Sequence, residues 1–220
     1  MTAEVGSSGR LSRRAALRAS AAMSAGLVLA AGARQAGTRT ARAAAEGVPL
    51  SRLRWDIIHN GPGEAAPADR RTTPGGTASA RTVDRTKITF TGSGTFNPDV
   101  PDDVSGGGSY TIYDANDSVL SSGSYAVTRL VSWQLAPGTA NPGVDTIGSP
   151  TDFRPGLAIL AVAYTDGQQG TLAVSCHGQG TSNAVFEGIV ASHAYTMFFS
   201  SEVAQGEPFI DANRTIFHVI

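Results

Sequence analysis

Lys87-Ile88-Thr89-Phe90-Thr91-Gly92-Ser93-Gly94-Thr95-Phe96 alternates without a break. Ile88, Phe90, Gly92, Gly94 and Phe96 fall on one face, and Lys87, Thr89, Thr91, Ser93 and Thr95 on the other. A period of two is the signature of a strand with one buried side. Two glycines on the apolar face predict a bend or the close approach of another backbone. A strand that bends in mid-course helps a sheet to curl.

The same grammar runs outward along the chain. Leu53 to Ile58 places Leu53, Trp55 and Ile57 on one face. Residues 60–83 are rich in Gly, Pro and Ala, have no period, and read as a long loop or flap. Gly106-Gly107-Gly108 reads as a turn leading into Ser109–Tyr113. Asp114-Ala115-Asn116-Asp117 turns the chain into a return strand from Ser122 to Leu135. Simple alternation there puts Tyr125, Val127, Arg129, Val131, Trp133 and Leu135 on one side. Leu157–Tyr164 is apolar on both faces and reads as a central strand; the turn Thr165–Gly170 joins it to Thr171–His177 as a hairpin. Val185–Phe199 supplies one or two strands broken near Ser192-His193, and Thr215–Ile220 a last one.

The expectation is all-β: one domain over residues 53–220, a single antiparallel barrel of about eight strands, with a two-sheet sandwich as alternative. Residues 44–52 read as a linker. The first 43 residues read differently. Arg13-Arg14 follows Ser12, a weakly hydrophobic run extends from Ala19 to Ala33, and Ala41-Arg42-Ala43 suits a signal peptidase. The run is too short and mild to span a bilayer. This order of features resembles a twin-arginine export signal. The resemblance implies a domain that folds before export and works outside the cytoplasm, with no membrane span after cleavage.

Residues 1–43 hold seven arginines and one glutamate, so residues 44–220 carry ten basic and seventeen acidic groups, a net charge of −7. An acidic surface argues against nucleic acid as a partner. The basic residues that remain gather early: Arg52, Arg54, Arg70, Arg71, Arg81, Arg85 and Lys87. They form either an anion-binding face or a solvated loop. The lone cysteine rules out an intramolecular disulfide.

That cysteine, Cys176, sits beside His177. On a strand the two side chains point to opposite faces, so they are not a nucleophile–base pair. Cys176 shares its face with Leu172 and Val174 and reads as a small buried hydrophobe. The four histidines, His59, His177, His193 and His218, show no metal-ligand spacing. No metal or cofactor is implied. If the first and last strands pair, His59 and His218 could approach each other. Glu187 lies among apolar residues, and on a lumen-facing strand its pKa should rise. Arg129 shares a face with Val127, Val131 and Trp133. Either it and Glu187 both point to water, or they form an inward pair that is a structural ion pair or the polar anchor of a ligand pocket.

Gly92–Phe96, Gly106–Asp114 and Gly123–Trp133 resemble stretches of small exported actinobacterial-type proteins, a group that brings no activity with it. The strand plan is similar to calycin-like and allene-oxide-cyclase-like barrels. That resemblance is architectural and implies a lumen for an apolar small molecule or a cyclisation. The expected function is an exported barrel that binds a small, largely apolar ligand without a cofactor. Tyr110, Tyr125, Trp133, Phe90 and Phe96 would form its apolar wall, and Arg129 and Glu187 its polar contacts. The alternatives are a cofactor-free isomerase or cyclase using Glu187, His59 or His218 as acid–base group, and a structural or interaction protein of the envelope.

Overall fold

The computed structural model describes residues 52–61, 70–201 and 214–220; the expected signal segment lies outside them. The described residues form strands and no helix. These are β1 (Leu53–Gly61), β2 (Arg71–Pro74), β3 (Ala78–Arg81), β4 (Lys87–Phe90), β5 (Ser93–Asn97), β6 (Val100–Tyr113) and β7 (Val119–Leu135). They continue with β8 (Val144–Asp145), β9 (Gly156–Tyr164), β10 (Gln169–Cys176), β11 (Gly188–His193), β12 (Thr196–Phe198), β13 (Ser200–Ser201) and β14 (Arg214–Val219).

All belong to one sheet, ordered β12-β11-β10-β9-β7-β6-β5-β1-β2-β8. On branches from this path, β14 pairs with β1, β4 with β6, and β3 with both β4 and β13. Every ladder is antiparallel except β2–β8, where Arg71 and Thr72 run parallel to Val144 and Asp145. The sheet is therefore open and mixed, not the closed antiparallel barrel of the sequence expectation, and not two sheets. Its ladder stops at β12. One residue later β13 takes up a different partner, β3, through Ser200↔Arg81 and Ser201↔Ala80.

The Lys87–Phe96 stretch explains much of this branching. It is two strands divided at Thr91-Gly92. β4 continues toward β3, whereas β5 pairs with β1. Both lie against β6, whose middle is Gly106-Gly107-Gly108. The triple glycine is thus strand interior and not a turn. Gly94 stands opposite Gly106. A Cβ on Gly94 would fall 2.1 Å from the Ser105 carbonyl oxygen, and one on Gly106 2.2 Å from that of Ser93. Backbones this close leave room only for hydrogen.

β7 departs from simple alternation. It pairs with β9, and the register slips between Val127 and Arg129 and again between Leu130 and Ser132. Each bulge inserts one residue and reverses the facing of those that follow. Tyr125 and Val127 point inward, Leu130 is buried, and Arg129 and Val131 are exposed. After the second bulge Trp133 again packs on the core.

The expected long loop at 60–83 is in part strand. β2 and β3 fall within it, and Ala78, Ser79 and Ala80 are buried. Their small, irregular sequences carry no period to betray them. The β9–β10 hairpin forms as its sequence predicts, with Leu160 opposite Leu172 and Ala158 opposite Val174. β9 is central, between β7 and β10. The core is aromatic and closely packed: Phe90 lies edge-on to Tyr125 at 5.1 Å, Tyr110 to Tyr164 at 4.9 Å, and Trp133 to Phe217 at 4.8 Å.

Candidate functional site

A pocket of about 270 Å³ opens where β1, β2, the end of β10 and β14 meet the loop around β8. β10 and β14 are not ladder partners, so side chains join them. Thr215 Oγ1 donates to the Ser175 carbonyl at 2.6 Å. Ser175 Oγ donates to the Phe186 carbonyl at 2.7 Å. Glu187 completes the seam: its Oε2 accepts the His177 backbone N–H at 2.6 Å and its Oε1 accepts that of Thr215 at 2.8 Å. One carboxylate thus satisfies two strand-end donors that a ladder would otherwise take.

Burial pushes the Glu187 carboxyl up to about 7, against the two N–H donors and the nearby Arg214, which favour the ionised form. This has a definite consequence for stability. Between the ordinary carboxyl value of 4.5 and about 7 the folded chain holds more protons here than the unfolded chain. Stability contributed by this group therefore falls as pH rises through that window. Of the roughly 3 kcal/mol that the whole shift represents at about 1.4 kcal/mol per pK unit, the part lost between about pH 5 and about pH 7 is on the order of 2 kcal/mol. Urea midpoints measured from about pH 5 to pH 7 should drop more steeply for the native chain than for Glu187→Gln; equal slopes would refute the raised value.

The loop side of the pocket is pinned by Asp145. Its Oδ1 accepts the backbone N–H of Ile147 at 2.8 Å and that of Gly148 at 3.3 Å. Its Oδ2 lies 2.9 Å from His218 Nε2, although the ring N–H is not aligned for a hydrogen bond. These contacts outweigh burial and hold the Asp145 carboxyl below its ordinary range. The β8 backbone adds Val144 N–H to the Arg70 carbonyl at 2.7 Å and Thr146 N–H to that of Thr72 at 3.1 Å.

Of the residues singled out from sequence, Glu187 and Cys176 line this pocket together with His177. Cys176 is buried, with its thiol pushed well up by desolvation first and by Glu187 second. β1 and β14 do pair, but antiparallel register sets His218 opposite Arg54, while His59 faces Thr73 of β2. The two histidines are not brought together. Arg129 does not meet Glu187; it is exposed on the bulged part of β7, 3.6 Å from Asp102. Glu187 itself lies just before β11, outside any strand.

Phe90, Phe96, Tyr110 and Tyr125 are core residues, and none of them lines the pocket; nor does Trp133, which packs against the core. Tyr110 has a polar anchor as well. Its hydroxyl donates to Asp166 Oδ2 at 3.0 Å, the same oxygen that lies 2.7 Å from His193 Nε2. This ties β6 and β11 to the β9–β10 turn. Among the described residues no group of three His, Cys, Asp or Glu side chains could hold a metal ion. No helix among them is long and apolar enough to cross a membrane.

Asn60, Arg70, Thr72, Asp145 and Arg214 also line the pocket and were not singled out as its members. Arg70 lay within the early basic group, which was the one available signal. Asp145 belongs to a Pro/Gly-rich loop whose path no local pattern encodes. No family model, curated protein or solved structure matches this chain.

Proposed function

We propose that the protein is an exported, cofactor-free binder of a small molecule, and that its site is the seam pocket. The observation that carries this is the pocket itself, about 270 Å³, with an apolar floor from Ile58, Phe153 and Ile216 beneath polar walls. Ligand sites commonly combine such a floor with a few convergent polar groups. The aromatic core packs on itself, so the expected apolar lumen gives way to a smaller site at the joint between strands. Export rests on the likeness of residues 1–43 to a twin-arginine signal.

A second reading follows from Glu187. A pocket carboxyl near neutrality suits acid–base work in a cofactor-free isomerase or cyclase. Binding is the better reading because both Glu187 oxygens already hold backbone N–H groups across the seam. A filled structural protein of the envelope would need no such cavity.

Native mass spectrometry of the full chain after incubation with extracts should reveal a retained small molecule. Asn141→Trp, at an exposed rim position, should displace it while thermal unfolding stays unchanged. Retention of nothing across varied extracts overturns the reading.

A further inference from the structure

We propose that the seam pocket takes a small organic anion, whose carboxylate or phosphate is held at the rim by Arg70 and Arg214 while its body lies against Ile58, Phe153 and Ile216. This rests on the binding role proposed above and names the class of ligand.

The reasoning is a census of charge. Four formally charged side chains line the pocket: Arg70, Arg214, Asp145 and Glu187. Both acids are already satisfied. Asp145 accepts two backbone N–H groups, with the His218 ring 2.9 Å from its other oxygen, and Glu187 has the N–H groups of His177 and Thr215. Neither arginine has an ion-pair partner among the described residues. Outside the pocket Arg52 is matched with Asp103 at 2.7 Å, Arg54 with Asp56 at 2.7 Å and Arg81 with Asp117 at 3.4 Å, while Arg71, Arg85 and Arg154 have no ion pair among the described residues but do not line the pocket. The charge this pocket leaves without an ion pair is therefore the positive charge of its two exposed arginines.

A further donor converges there. The Thr72 hydroxyl donates to Asn60 Oδ1 at 2.9 Å, which leaves the Asn60 amide N–H groups for the pocket. A guanidinium fork matches a planar carboxylate or a phosphate in geometry as well as charge. Residues 44–220 are acidic overall, so two unpaired arginines at one opening are a local feature and not part of a basic surface. An ammonium ligand would instead meet two like charges with both acids already engaged. The buried Ile58, Phe153 and Ile216 below the rim give an anion with an apolar body a place for that body.

Calorimetry on the full chain tests this with four probes that share a phenyl body and differ in the head group: benzoate, phenyl phosphate, benzamide and benzylammonium. Benzoate or phenyl phosphate should bind, and the stronger of the two tells carboxylate from phosphate. Arg70→Gln and Arg214→Gln should each weaken that binding by about tenfold or more, the usual cost of a lost charge-assisted contact. Arg129→Gln, an exposed change outside the pocket, should leave it unchanged. Benzamide or benzylammonium binding as well as the anions overturns the inference, as does anion binding indifferent to both pocket arginines. Either result leaves the small-molecule role standing. Silence from all four probes also overturns the anion inference, and the small-molecule role is then decided by the extract experiment alone.

Discussion

Gly106→Ala is expected to be among the most damaging single substitutions in the domain. At φ +107 an L side chain is strained, and its Cβ would sit 2.2 Å from the Ser93 carbonyl oxygen and 2.3 Å from Gly94 Cα. Both obstacles are backbone, so no rotamer change relieves them. Strain at such a φ costs about 1–3 kcal/mol, and forcing atoms into a full site costs about 1–3 kcal/mol more. The sum takes a large share of the roughly 5–15 kcal/mol that holds a domain of ordinary stability. Gly167→Ala supplies the control. Its φ is +85, yet nothing lies within 4 Å of the added Cβ, so it carries the strain without the collision. Urea unfolding of the two variants separates the contributions. If Gly106→Ala loses no more than Gly167→Ala, the close crossing of β5 and β6 does not exist.

The second large effect is a contrast between neighbours. Leu130→Ala should cost about 2–5 kcal/mol, as expected for truncation of a buried leucine. Val131→Ala should fall within about 0.5 kcal/mol of the native chain. Leu130 is 3% exposed and Val131 57% exposed. Without the bulges, unbroken alternation from Tyr125 would bury Val131 and expose Leu130, so the order of the two effects would reverse. Denaturant midpoints for this pair therefore report directly on the slipped β7–β9 register.

Local pattern carried the strands and failed at their departures from regularity. The β9–β10 hairpin was legible because an apolar run, Leu157–Tyr164, and an alternating one, Thr171–His177, flank a short polar turn. The placing of Cys176 with Leu172 and Val174 followed from the same alternation. The bulges of β7 were not legible, since Arg129 and Leu130 look the same in sequence whether or not an extra residue intervenes. That ambiguity, together with the placing of Glu187 on a strand it in fact precedes, is behind the Arg129–Glu187 pair that the structure does not form. The glycines at 92 and 94 announce a bend or a close backbone approach, and both occur there, but the same residue type at 106–108 reads as a turn and is strand interior. Glycine says that space is short or φ unusual, and it does not say which.

The site was legible in one residue and hidden in its assembly. Glu187 stood out because a charge among apolar neighbours demands partners. Those partners are backbone N–H groups at the ends of β10 and β14, and no sequence pattern marks them. Asp145 and Arg214 reach the pocket through long-range topology, the parallel β2–β8 pair and the β1–β14 ladder. Such contacts join residues far apart in the chain, where periodicity has nothing to say.

The solitary thiol of Cys176 makes the molecule its own clock. It is buried at the last residue of β10, beside a joint that side chains hold together in place of a ladder. At 2% exposure the thiol offers a reagent almost no access while that joint is closed. With a strong excess of reagent the modification rate becomes the rate of parting, and with little it scales with the fraction of time spent apart. Because the chain has a single cysteine, one mass shift reads one event at one place. Opening of the seam between β10 and β14 can thus be timed with no engineered label.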